Sequence, residues 1–62
     1  MIFKMGSYIS KFSVDYIKHG CGGLSWKETF AIMGYKSYRY SGGTWHYLSK
    51  EEFVIFVLRY SA

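Results

Sequence analysis

Apolar residues recur at Ile9, Phe12, Tyr16 and Ile17, while Ser10, Lys11, Asp15 and Lys18 fill the opposite positions. Side chains three and four residues apart share one face of a helix. The pattern therefore predicts an amphipathic helix running to about Lys18, capped by Ser7 and stopped near Gly20. His19-Gly20-Cys21-Gly22-Gly23 follows as a loop, because so many glycines in so short a stretch hold neither helix nor strand. Ser25-Trp26-Lys27-Glu28 is a capping box, in which the serine hydroxyl and the glutamate satisfy each other's free backbone donors. It opens a short second helix that ends before Gly34, with Phe30, Ala31 and Met33 as its apolar positions. Ser49-Lys50-Glu51-Glu52 repeats the capping signal at the head of the last element. The run Phe53-Val54-Ile55-Phe56-Val57-Leu58 fits a buried strand by composition. The cap and the position of Arg59 near a helix C-terminus favour a helix, with a third strand as the alternative.

From about Tyr35 to Leu48 the period changes to two and breaks at Gly42-Gly43, which reads as a β-hairpin. A two-residue turn at that dipeptide sets Ser41 opposite Thr44, Tyr40 opposite Trp45, Arg39 opposite His46 and Tyr38 opposite Tyr47. Alternation of side chains then collects Tyr38, Tyr40, Trp45 and Tyr47 on one face. Ser37, Arg39, Ser41, Thr44 and His46 take the other. The element order is α-α-β-β-α. The expected fold is a small α+β domain over residues 1–62, with a two-stranded antiparallel hairpin packed on helices. The ring face either packs on those helices as core or leaves some rings free to stack on bases.

Composition sharpens this picture. With 62 residues, half of them hydrophobic and 23 % aromatic, the chain is rich enough for a core and too rich for disorder. Self-association is open as a further route to burial. The single cysteine, Cys21, excludes an internal disulfide. Met1-Ile2-Phe3-Lys4-Met5-Gly6 lacks a basic start followed by a long apolar stretch, and Phe53–Leu58 is too short to span a bilayer. A cytoplasmic setting without a transmembrane segment is the expectation. Eight Lys/Arg against four Asp/Glu give a net charge of +4. A basic balance points to a polyanion, although the cations are dispersed rather than gathered in a tail.

Few residues are free for catalysis. Glu28 and Glu52 sit at the third positions of the two capping boxes with Glu51 beside them, where they complement the helix dipole. Asp15 lies three residues before Lys18 and suits a surface ion pair. No carboxylate pair remains for acid–base work. Cys21 in an exposed glycine loop, with His19 or His46 as base, meets no known nucleophile signature. The histidines and the cysteine also lack zinc-ligand spacing, and the glycine loop lacks phosphate-loop residues. These readings predict a non-enzymatic binding module with no cofactor, no metal and no small-molecule substrate.

The leading expectation is a nucleic-acid partner. Lys27, Lys36, Arg39, His46 and Lys50 would meet phosphates around the hairpin, with Tyr40 or Trp45 stacking on bases. The alternative is a protein partner with an acidic patch, the chain acting as a small inhibitor or adaptor such as a phage or mobile-element modulator of a host protein. Tyr, Trp and Arg dominate interface hot spots, and this chain is rich in them.

Leu24–Gly34 resembles the opening helix of excisionase and MerR-type winged-helix domains, and Arg39–Phe53 resembles their wing and the capped helix after it. The two segments cover under half of the chain. Those families set a recognition helix between such segments, whereas only Tyr35-Lys36-Ser37-Tyr38 is present here, barely one turn. The resemblance therefore implies wing and backbone contacts to nucleic acid rather than major-groove reading.

Overall fold

Ile2-Phe3-Lys4 points outward, inward and outward, and in the computed structural model, which describes residues 1–61, it forms a short strand, β1 (Ile2–Lys4). Sequence periodicity gives no hint of it, since three residues carry too little alternation to register. A single 3-10 turn (Met5–Ser7) leads into helix α1 (Ile9–Lys18). Ser7 lies inside that turn and does not cap α1; Tyr8 holds the N-cap position without a side-chain hydrogen bond. Helix α2 (Trp26–Ile32) carries the full reciprocal capping box between Ser25 and Glu28. The hairpin is β2 (Arg39–Gly42) and β3 (Trp45–Tyr47), and the last element is helix α3 (Lys50–Tyr60). The fold is thus α+β as expected, with a helix as its final element and a third strand supplied by the N-terminal segment.

The three strands form one antiparallel sheet in the order β1-β3-β2. Phe3 pairs with His46, Ile2 with Tyr47 and Lys4 with Trp45. On the other side of β3, Tyr40 pairs with His46, Arg39 with Tyr47 and Gly42 with Trp45, with an irregularity at Ser41. The hairpin register therefore differs by one residue from the expected one. Gly43, at φ 56°, and Thr44 form the two-residue turn, while Gly42, at φ 103°, belongs to the bulged strand. Positive φ at the first central residue alone is the type II′ arrangement, which takes glycine there. A one-residue slip exchanges the faces of a strand, and the expected four-ring face is divided as a result.

One side of the sheet packs on the helices. Phe3 and His46 point into that side, where Phe30, Phe53, Phe56 and Trp26 lie against them. Phe30 is the hub of the core and is fully buried. Its ring stacks on Tyr38 at 4.0 Å between centroids and 7° between planes, and also meets Phe12 and Phe56. Near-parallel rings at such a distance lie offset, because directly superposed rings repel through their quadrupoles. The hydroxyl of Tyr60 donates to Asp15 at 2.7 Å, joining α3 to α1. Asp15 thus serves an interhelical bond rather than the surface ion pair expected with Lys18. Ile17 departs from the expected apolar face and stands 76 % exposed.

Candidate nucleic-acid interface

The side of the sheet turned away from the helices carries Ile2, Lys4, Arg39, Trp45 and Tyr47, as the register requires. Ile2, Lys4 and Arg39 are exposed, Trp45 is 45 % exposed and Tyr47 is half-buried. Trp45 and Tyr47 lie two residues apart on the central strand, so both rings project from the same face. Each has a cation beside it on a neighbouring strand. The Lys4 ammonium lies 4.8 Å from the centre of the Trp45 ring, within the range of a cation–π contact. Arg39 is the cross-strand partner of Tyr47.

A groove of about 580 Å³ runs along the β2 edge, where residues from both sides of the sheet meet. It is lined by Lys36, Ser37, Tyr38, Arg39, Tyr40, Ser41 and Tyr47. Lys36 and Arg39 bring positive charge to it, and the Glu52 carboxylate is bound at its Lys36–Ser37 end. Because β2 is an edge strand, its outer backbone groups are open to a ligand. Tyr40 stands 54 % exposed at this edge, its ring edge-on to His46 and its hydroxyl donating to the Gly43 carbonyl at 2.6 Å.

The groove's first residues are held by α3. Glu52 accepts from the Ser37 amide at 2.8 Å, the Ser37 hydroxyl at 2.6 Å and the Lys36 amide at 3.2 Å. Partial burial disfavours its charge, but the hydrogen bonds from Ser37 and Lys36 outweigh that and hold the carboxyl below its ordinary range. The expected second capping box is consequently only half made. Ser49 Oγ accepts from the Glu52 amide at 3.3 Å, while the Glu52 side chain turns to Ser37 and the Ser49 amide donates to Ser37 Oγ at 2.9 Å.

Of the residues expected at the site, Lys36, Arg39 and Tyr40 share the groove and Trp45 occupies the adjoining open face. Lys27 on α2 and Lys50 on α3 are exposed but do not line the groove. His46 requires a correction. It is 2 % exposed on the helix-packed side, where its ring lies against Phe3, Trp26 and Phe30, and so it offers no phosphate contact. Its Nδ1 lies 2.6 Å from the Tyr38 hydroxyl. Burial lowers the histidine's pKa, and burial, reinforced by Tyr40, pushes the Tyr38 hydroxyl up to about 12. Both shifts favour the neutral pair, with Tyr38 O–H donating to a bare Nδ1. Lys4, absent from the expected set, joins the open face because β1 pairs with β3, and Tyr47 joins it two residues along β3 from Trp45.

Cys21 is also corrected. It is fully buried rather than exposed, since its amide donates to the Tyr16 carbonyl and its carbonyl accepts from Leu24, folding the loop onto the core. The segment between α2 and β2 contains turns and no helix. Nothing there corresponds to the recognition helix of a winged-helix domain. Among the described residues, no group of three or more His, Cys, Asp or Glu is arranged to hold a metal ion, and no helix is long and apolar enough to cross a membrane. No protein-family profile matches the chain, and neither a curated protein nor a solved structure is similar to it.

Proposed function

We propose that this domain is a non-enzymatic nucleic-acid-binding module. Its ligand lies on the open face of the sheet and in the groove along β2. Lys36 and Arg39 meet phosphates, joined by Lys4, while Trp45, Tyr40 and Tyr47 offer ring surface to bases. The observation that carries this reading is the combination of Trp45 and Tyr47 on one open face with Lys4 and Arg39 beside them on the neighbouring strands. Phosphate contacts supply most of the affinity of such surfaces and make it depend on salt.

The non-enzymatic part draws support from the committed state of the chain's reactive groups. Glu28 is engaged in its capping box, Glu52 by Ser37 and Lys36, and Asp15 by Tyr60. Cys21 is shut away from solvent. One observation favours a second reading. The unpaired edge of β2, flanked by Lys36 and Arg39, also suits an extended acidic segment of a protein partner adding a strand.

Titration of the intrinsic tryptophan fluorescence with single-stranded DNA, RNA and duplex DNA, at low and high salt, separates the readings. A response to nucleic acid at low salt that weakens strongly at high salt is expected. The absence of any response at low salt refutes the proposal and leaves the protein partner.

A further inference from the structure

We infer that the nucleic acid taken by this face is single-stranded, with two adjacent bases unstacked and laid on Trp45 and Tyr47. The inference rests on the nucleic-acid reading above and specifies its ligand. Three observations carry it.

The first is the spacing of the rings. Residues two apart on a strand are separated by about 6.5–7 Å, nearly twice the plane-to-plane spacing of two stacked rings. A ligand whose bases remain stacked on each other cannot place one base on each ring. An extended single strand can, because its bases turn freely out of the backbone.

The second is the placement of the cations. Lys4 stands beside Trp45 on one flank of β3, and Arg39 stands beside Tyr47 on the other. Each ring is thus accompanied by its own phosphate partner. The backbone of a bound strand crosses the sheet obliquely from β1 toward the groove on β2, where Lys36 extends the path. The Lys4 ammonium, now over the Trp45 ring, is on an exposed side chain and moves to a phosphate as the base takes its place.

The third is what the face lacks. Major-groove reading of a duplex requires a helix or a two-stranded ribbon that enters the groove. Here α2 lies on the far side of the sheet through Trp26 and Phe30, residues 33–38 form turns, and the β2–β3 hairpin is no free two-stranded ribbon, because β1 pairs along the other edge of β3. A duplex presents only its backbone to this surface, which leaves Trp45 and Tyr47 without a partner.

The test is fluorescence anisotropy of labelled twelve-nucleotide oligomers, single-stranded and duplex, against the intact chain and the variants Trp45→Ala, Tyr47→Leu, Trp45→Phe and Tyr47→Phe. Loss of one stacked base is worth roughly 5- to 150-fold in affinity. Each ring-deleting variant should therefore lose that factor for the single strand and little for the duplex. The phenylalanine variants keep a ring and should retain most of the binding, and circular dichroism of every variant establishes that it is folded. Equal affinity for duplex and single strand overturns the inference while leaving nucleic-acid binding intact. So does single-strand binding that is indifferent to both ring deletions in folded protein. Binding to neither oligomer at low salt refutes the broader reading instead.

Discussion

Replacing Ser37 by alanine tests how the groove is anchored. The Ser37 hydroxyl stands between two elements, donating to Glu52 and accepting from the Ser49 amide at the head of α3. Alanine removes a charge-assisted bond worth about 1.5 kcal/mol or more. It also leaves a partly buried amide unpaired, at about 1 kcal/mol after allowance for water reaching the site. The backbone bonds from Ser37 and Lys36 to Glu52 persist, so a total of about 2.5 kcal/mol is expected. A domain of this size has only a few kcal/mol of stability, and a loss of that order lowers Tm by about 10–20 °C. The assay is urea unfolding at about pH 7 and again at about pH 3, where most carboxylates take up a proton. Glu52 is held below its ordinary range, so its stabilisation is present above the unfolded value and is lost as pH falls through the native value. The cost of Ser37→Ala should therefore shrink in acid, to the part owed to the Ser49 amide. A cost below about 0.5 kcal/mol at neutral pH, within the range of an ordinary surface substitution, refutes the anchoring. So does a cost independent of pH.

Thr29 is fully buried in α2 with a hydroxyl that has no hydrogen-bond partner. Thr29→Val keeps its shape and removes the stranded group, so thermal unfolding should show a gain of about 1 kcal/mol; a loss of similar size would mean that the hydroxyl is satisfied. His46 should titrate by NMR below its ordinary 6.5, because burial lowers it. The unfolded chain takes up that proton first as pH falls, so stability should decline from about pH 6.5 downward. A value above 6.5, or stability rising over that window, contradicts the burial of the ring.

What was legible in the chain was what is local. The boxes at Ser25 and Ser49 are set within four residues, and both helices start where those serines place them. They also decide α3, whose β-branched run would otherwise suit a strand. Gly42-Gly43 announces a hairpin because only glycine takes the positive φ that both residues adopt. The register was not legible. Gly42 is consumed by the bulge and Gly43-Thr44 by the turn, and either partition satisfies the same dipeptide. That one step puts Tyr40 on the side of His46 and Arg39 on the side of Trp45 and Tyr47. β1 was hidden for another reason: its three residues gain their strand character from β3, more than forty positions along the chain. With β1 went Lys4, whereas alternation along β3 already set Tyr47 beside Trp45. Lys36, Arg39, Tyr40 and Trp45 were within reach because each belongs to the hairpin or its approach.

If cations on one face of a small sheet hold a nucleic-acid backbone, as proposed, binding must weaken with salt. On the proposed reading Lys4, Lys36 and Arg39 would make three phosphate contacts, for which log K against log salt should fall with a slope of about −2 on a single strand. Arg39→Ala should flatten it by about 0.7, the share of one contact. A slope near zero, or one that Arg39→Ala leaves unchanged, contradicts the account.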